Sequence, residues 1–445
     1  MQPWTAGGAA RRNGVLKLLA TAALAASACS ATGATVSRAD TSGARVTALI
    51  SRNANGPSTG GAFSQDGRTA SLYAFTSAAT NLVGGDTGGA LDVFVLHRSG
   101  MGGSIDRVSV ATDGKEAGGD SSSPSVDGAN DRSPHCVAFQ SSATNLDPRD
   151  SSPDSDVYVR DLARATTKVV APGAAGAVHP TIDGACRLVT YEAGGTVFVA
   201  KVDGGAPLAI AQGTQPDQET DGRGVTYVRD GQVWYQRYGP GRHGLAKHGR
   251  ERLVSAGHYG PGNGPSAHPS VNASGEYIAF ESAATNLCRD LCRGVSADRN
   301  GATSDVFRRT MSSRAPSHDR MEMASFSYGA HAQGNGPSND PVISSAGQFV
   351  LFDSTATNLR PAAYMVGTDP NGRIRDVFLW NFSLRRGYGN ASRESRPPGD
   401  GAFRTPSVAP ATSAHGNYVA FTTSSGAAAA GGSIPNVFMR FLGGP

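Results

Sequence analysis

At 445 residues, with apolar side chains making up 38%, the chain can bury a large core, and its 58 glycines and 25 prolines suit many short strands joined by turns better than a disordered tail. The formal net charge of +4 is small for this length and no basic run stands out, so the electrostatic footprint of a nucleic-acid binder is missing.

At the N-terminus, Arg11, Arg12 and Lys17 form or flank a positive region, followed by the apolar stretch Leu18 to Ala26 and then Ala26-Ser27-Ala28 before Cys29. This pattern predicts an export signal over residues 1–28, too short and too rich in small residues for a stable membrane span. Ala-x-Ala suits an ordinary signal peptidase. A cysteine directly after small residues suits a bacterial lipoprotein box, with Cys29 lipidated as a membrane anchor, although Ala26 stands where leucine is usual. Gly, Ala, Ser and Thr dominate residues 29–44, which read as a flexible tether.

From residue 45 to 442 one pattern dominates. HPSVNASGEYIAFESAATNL, from His268 to Leu287, returns as DPVISSAGQFVLFDSTATNL ending at Leu359 and in five further variants, giving seven repeats anchored by Phe75, Phe139, Tyr191, Tyr227, Phe280, Phe352 and Phe421. Each repeat has another strand rich in aromatics, such as DVFVLH from Asp92, DVYVRD from Asp156 and DVFLWN from Asp376. A further strand follows in most copies and a short Pro-led strand opens each, so four antiparallel strands per repeat predict the blades of a propeller. The last repeat stops at NVFMRFLGGP, and Arg45 to Ser58 matches the fourth strand and linker of the other repeats. The expectation is therefore an all-β chain: a single seven-bladed β-propeller closed by an N-terminal strand, with no exposed sheet edge at the junction.

Turns of the SPDG type before I-A-F strands, followed by D-V-F strands, resemble the TolB-like (WD40-like) β-propeller repeats of bacterial envelope proteins, over nearly the whole chain after the tether. The resemblance implies the fold and an envelope setting. TolB itself carries an α/β domain ahead of its propeller, for which the tether leaves no room, so a part in the Tol system is not implied. Propellers host many functions, so the fold alone names no activity.

Four copies of Ala-Thr-Asn-Leu (Ala79–Leu82, Ala143–Leu146, Ala284–Leu287, Ala356–Leu359) open the connection between the second and third strands. Thr and Asn there suit turn hydrogen bonds, and Leu suits folding back over the blade. Acidic residues follow. The spacing of Asp298, Asn300 and Asp305, and of Asp369, Asn371 and Asp376, suits oxygen ligands for a hard cation such as Ca²⁺, while Asx-turns are the plainer reading. Export makes disulfides feasible, and the expected pairs are Cys136 with Cys186, in neighbouring repeats, and Cys288 with Cys292, in one loop. His179 and His268 each precede the proline of a first strand and are expected near the channel mouth as polar caps. Gly56-Pro57-Ser58-Thr59-Gly60 spells G-x-S-x-G but falls on an inter-blade linker with no helix after it, so Ser58 is not read as a nucleophile, and no catalytic residue is assigned. The long second-to-third strand loops and the inter-blade linkers share one face, which is the expected binding surface. The leading functional reading is a non-enzymatic exported scaffold for a protein, peptide or cell-wall ligand. Its rivals are a channel-site enzyme of lyase or glycosidase type and a purely structural envelope protein. An enzyme predicts a deep channel pocket with converging carboxylate, His or Tyr groups, and a scaffold predicts a shallow solvated mouth.

Overall fold

The structure, a computed structural model, describes residues 45–150, 152–173, 176–288, 298–311, 319–327, 332–359, 369–383, 391–398, 401–424 and 434–443. The expected export signal, the tether, Cys29 and Cys292 lie outside these residues. Seven four-stranded antiparallel sheets follow one another along the chain. Blade 1 is Ser58–Phe63, Leu72–Ser77, Asp92–Ser99 and Gly102–Arg107; blade 2 is Ser121–Val126, Cys136–Ser141, Asp156–Asp161 and Thr166–Val169. Blade 3 is Val178–Ile182, Leu188–Ala193, Thr196–Lys201 and Leu208–Gln212; blade 4 is Thr214–Gln218, Gly224–Arg229, Gln232–Gly241 and Gly244–Leu253. Blade 5 is Ser266–Val271, Tyr277–Ser282, Asp305–Thr310 and Arg320–Met323; blade 6 is Ser338–Ile343, Phe349–Ser354, Asp376–Asn381 and Ala391–Arg393. Blade 7 is Ser407–Thr412, Tyr418–Thr423 and Asn436–Phe441, and its fourth strand is the N-terminal Val46–Leu49. This is the seven-bladed propeller that the repeats predict.

Both faces of each blade are covered, so the middle strands are buried without alternation: all six residues of Leu72–Ser77 are buried. Alternate side chains serve opposite neighbours. Leu72, Ala74, Val93 and Val95 of blade 1 pack on Val126, Val137 and Phe139 of blade 2. Phe63, Tyr73 and Phe75 pack on Ala411, Ala420, Val437 and Met439 of blade 7. The repeat aromatics meet across the second and third strands as stacked pairs, with Phe75–Phe94 at 5.8 Å, Phe139–Tyr158 at 5.7 Å, Phe280–Phe307 at 5.7 Å and Phe352–Phe378 at 6.0 Å between ring centroids.

Ring closure is antiparallel, from Val46 opposite Phe441 to Leu49 opposite Phe438. It is reinforced by Ser51, whose Oγ donates to Asn436 Oδ1 at 2.9 Å and accepts from Val437 N at 3.0 Å. The same clamp holds the Asp-Val pair elsewhere. Ser109, Ser325 and Ser395 donate to Asp92, Asp305 and Asp376 and accept from the following valine N–H in blades 1, 5 and 6. The N-terminal segment therefore supplies a fourth strand with the same local chemistry as the internal ones.

Every first strand carries a bulge, where pairing with the second strand slips in all seven blades. In six blades the bulged residue has positive φ: Ser123 (53°), His179 (53°), Gln215 (53°), His268 (46°), Asp340 (51°) and Ala409 (52°). Each is followed by a proline, which lacks the N–H that a ladder would require and so tolerates a bulge. Blade 1 carries Gly60-Gly61 instead, and a Cβ on Gly61 would come 1.7 Å from the Ala74 carbonyl oxygen. Non-glycine residues held at positive φ cost about 1–2 kcal/mol each. Such repeated strain is often found at functional sites.

Cys136, in the second strand of blade 2, is bonded to Cys186 in the first turn of blade 3, with Cα atoms 5.9 Å apart. Cys288 is buried and disulfide-bonded. A bridge spanning 50 residues restricts the unfolded chain, and loop-closure entropy puts its worth at about 4 kcal/mol before native-state strain. Replacing both Cys136 and Cys186 with alanine is expected to lower unfolding free energy by about 2–4 kcal/mol in denaturant titration, with reductant producing at least that loss in the parent protein, where it also opens the bond at Cys288.

Candidate functional site

The Ala-Thr-Asn-Leu segments are joints. In blade 5, Asn263 of the preceding linker donates through Nδ2 to Thr285 Oγ1 (2.8 Å), and its Oδ1 accepts from Thr285 N (2.7 Å). Asn286 Oδ1 accepts from Asn263 N (3.0 Å), and Asn286 Nδ2 donates to the Pro261 carbonyl (2.9 Å). The same reciprocal clasp joins Asn55 to Thr80 and Asn81, and Asn335 to Thr357 and Asn358. Blade 2 keeps half of it, Gly118 N donating to Asn145 Oδ1 at 2.8 Å. The glycine after each linker asparagine has no room for a side chain: a Cβ on Gly264 would lie 2.6 Å from the Ala283 carbonyl oxygen. The motif leucines are buried against the blades. Ser58 Oγ lies 2.8 Å from Ser77 Oγ in a buried pair that recurs at Ser121–Ser141, Ser266–Ser282 and Ser338–Ser354, which accounts for the serine of the G-x-S-x-G sequence structurally.

The acidic loops converge as the spacing predicts, but donors from the chain itself fill them. In blade 5, Gln333 Nε2 donates to Asp298 Oδ1 (3.0 Å), Asn300 Oδ1 (3.0 Å) and Asp305 Oδ2 (2.5 Å). In blade 6, Arg393 Nη1 sits 3.0 Å from Asp369 Oδ1 and 3.4 Å from Asp376 Oδ2, while Asn371 Nδ2 donates to the Phe403 carbonyl at 3.0 Å. Of the six residues expected to hold calcium, Asp298, Asn300 and Asp305 face the Gln333 amide, and Asp369 and Asp376 face the Arg393 guanidinium. Arg107 plays the same part in blade 1, between Asp86, Asp92 and Glu116. Blade 2 has Val169 at the register position of Arg107 and Arg393. Among the described residues no cation of this kind stands by Asp156, and burial and Asp150 push its pKa up to about 7.

Open space lies along the central channel. The first strands of all seven blades line a cavity of about 490 Å³. At one end the turns between first and second strands link blade to blade, through Gly184 N to the Thr220 carbonyl (2.7 Å), Asp221 N to Ala273 (3.2 Å) and Ala273 N to Ser345 (3.1 Å). Gln65 bridges blades 1, 6 and 7 there, accepting from Ser345 Oγ (2.5 Å) and donating to the Thr412 carbonyl (3.5 Å). The other end opens on the face that carries the linkers and the second-to-third strand loops. Around this mouth stand the bulged residues of the first strands and, one row out, the penultimate residues of the second strands.

The mouth is lopsided. Blades 7 and 1 contribute Ala409, Gly60 and Gly61, whereas blades 3 to 6 contribute His179, Gln215, His268 and Asp340, backed by Glu192, Glu281 and Asp353. In blades 3 to 6 the bulge turns the backbone N–H of the bulged residue away from its own ladder, and a side chain of the preceding blade accepts it. His179 N donates to Gln140 Oε1 (2.9 Å), Gln215 N to Glu192 Oε2 (2.6 Å), His268 N to Gln215 Oε1 (2.9 Å) and Asp340 N to Glu281 Oε2 (2.8 Å). His179 Nδ1 lies 3.3 Å from Glu192 Oε1, and His268 Nδ1 lies 3.1 Å from Glu281 Oε1 and 3.2 Å from Asp340 Oδ1. The polar-cap role expected for the two histidines is therefore incomplete for His268, which two carboxylates face.

Burial and carboxylate neighbours set the protonation of this half. Asp353, with a fully buried side chain, is pushed up to about 7 by desolvation, with Arg375 opposing and Asp340 and Glu281 reinforcing. Asp217, lower in the channel, is likewise pushed up to about 7 by burial. His268 is raised, chiefly by its hydrogen bond to Glu281. Acids whose folded pKa lies above the unfolded value bind more protons when folded, so stability is greatest below the unfolded pKa and falls as pH rises towards 7. The raised His268 acts with the same sign. Glu116, held down to about 2 chiefly by the Thr87 backbone N–H, loses its contribution only as pH falls below the normal 4.5. Calorimetry should therefore find the melting temperature at pH 5 above that at pH 8, by on the order of 2–5 °C, and Asp353→Asn should reduce the difference.

No family model matches this chain, and no curated protein matches it. Solved structures similar to it are propellers. TolB from Acinetobacter baumannii is 11% identical, with a TM-score of 0.34, over 65% of this chain and 60% of that one. A putative TolB from Agrobacterium tumefaciens is 14% identical, with a TM-score of 0.36, over 72% and 89%. The β-propeller domain of the Trilobed protease from Pyrococcus furiosus, which has an open velcro topology, is 9% identical, with a TM-score of 0.44, over 82% and 91%. This chain spans 60% of the length of the Acinetobacter protein. The fold assignment rests on the strand order and ring closure themselves.

Proposed function

We propose that this protein is an exported binding propeller whose ligand, a peptide, protein segment or cell-wall fragment, enters the channel mouth from the loop-bearing face. The observation that carries the reading is the lopsided mouth: a cavity of about 490 Å³ with small residues on one wall and His179, Gln215, His268 and Asp340 on the other. A chain serving only as a spacer has no use for backbone strain that presents charged side chains to a cavity. The Cys136–Cys186 bond supports residence in an oxidising compartment, as do the features of residues 1–28.

A channel enzyme of lyase or glycosidase type is the second reading, and one observation favours it. His268, which lines the cavity, has a raised pKa, and Asp353 buried behind Asp340 has one too, a pairing that acid–base chemistry uses.

The test is a thermal-shift and calorimetric titration of the protein with soluble muropeptides and short synthetic peptides. A ligand of the folded state raises the melting temperature. Ser123→Trp, at a channel position already at positive φ, should remove that shift while leaving the ligand-free melting temperature within about 1–2 °C. Binding that survives Ser123→Trp would move the site out of the channel. Product formation in the same mixtures, followed by mass spectrometry, would replace the scaffold reading with the enzymatic one.

A further inference from the structure

We propose that His268, Glu281 and Asp340 form a binding site for a divalent transition-metal ion of the zinc type, set between blades 5 and 6 at the channel mouth. One donor atom from each of the three residues lies within 4.8 Å of the others. The separations from His268 Nδ1, 3.1 Å to Glu281 Oε1 and 3.2 Å to Asp340 Oδ1, are those of adjacent ligands around one ion, since donors at about 2.0–2.2 Å from zinc stand about 3.0–3.5 Å apart. An imidazole with two carboxylates suits zinc better than calcium, which takes an all-oxygen set.

A protonated imidazolium would satisfy Glu281 and Asp340 by itself, and the titration below distinguishes the two. A third carboxyl, Asp353, is fully buried behind Asp340, with Arg375 Nη1 3.2 Å from one of its oxygens. A divalent ion at His268 places positive charge where these acidic groups gather.

The scaffold also holds the ligands in advance. His268 and Asp340 are both bulged residues, at φ 46° and 51°, each fixed by a backbone hydrogen bond to a side chain of the preceding blade. Glu281 uses one oxygen for that bond and has the other directed to His268. Ligands positioned by outer hydrogen bonds in this way are typical of built metal sites. Three protein ligands leave at least one coordination position facing the cavity. The other Asp/His/Cys cluster among the described residues, Asp127, His135, Cys136 and Cys186, is unsuited because its two sulfurs are bonded to each other.

The experiment is isothermal titration of the EDTA-treated, dialysed protein with ZnCl2 at pH 7.5, paired with the d–d absorption of the Co²⁺-loaded form. One ion per chain is expected, with His268→Ala and Asp340→Asn each weakening affinity at least about 30-fold and changing the cobalt spectrum. His179→Ala, at the related position that faces only one carboxylate, should leave affinity within about twofold, and circular dichroism melts establish that the variants are folded. No stoichiometric binding, or binding unchanged in His268→Ala, would overturn the site. Muropeptide binding by metal-free protein tests the channel reading separately, so either proposal can fail without the other.

Discussion

The pairing of Val46–Leu49 with Asn436–Phe441 is the constraint on which the rest of the structure depends. Without it blade 7 would have an open edge at Asn436–Phe441, and the apolar surfaces that blades 1 and 7 bury against each other would lose their alignment. Arg440 adds a charged lock, donating to Thr47 Oγ1 at 2.8 Å and lying 3.2 Å from Glu394 of blade 6. Because the first strands converge on one axis, closure at the rim also fixes the width of the channel and hence the separation of His268 from Asp340.

The repeats divide labour between rim and axis. At the rim, the asparagine clasp, the serine pair and the Asp-Ser-Val clamp recur with nearly the same distances and tie each linker to its blade. At the axis, equivalent positions carry Gly60, Ser123, His179, Gln215, His268, Asp340 and Ala409, seven positions with six residue types. A scaffold needs uniformity to close. A ligand site needs differences, and the differences are concentrated where the backbone is strained and the cavity opens.

Much of the fold was legible because a propeller repeats its signals. The aromatic pairs, the Asp-Val strands and the match between Arg45–Ser58 and the internal linkers each carried a physical reason visible without coordinates. The Cys136–Cys186 pairing was expected because both cysteines lie near equivalent strands of neighbouring repeats. The candidate site was legible only in part. Asp298, Asn300, Asp305, Asp369, Asn371 and Asp376 do cluster, but Gln333 and Arg393, which fill the clusters, arrive from the following linker and the fourth strand, 28 and 17 residues beyond the nearest aspartate. The His268 cluster draws on three strands in two blades, and its geometry depends on bulges that Pro269 and Pro341 accompany without revealing. Aligning the X-Pro dipeptides of the first strands across all repeats was the signal that would have exposed the ring.

Hydrogen exchange followed by mass spectrometry on the intact protein tests the closure most directly. If the N-terminal strand completes blade 7, the amide of Ile50, bonded to the Val437 carbonyl at 2.8 Å, and those of its neighbours in Val46–Leu49 will exchange as slowly as the middle strands of that blade. Exchange of Val46–Ile50 at the rate of an unstructured segment, with Tyr418–Thr423 still protected, would contradict the account.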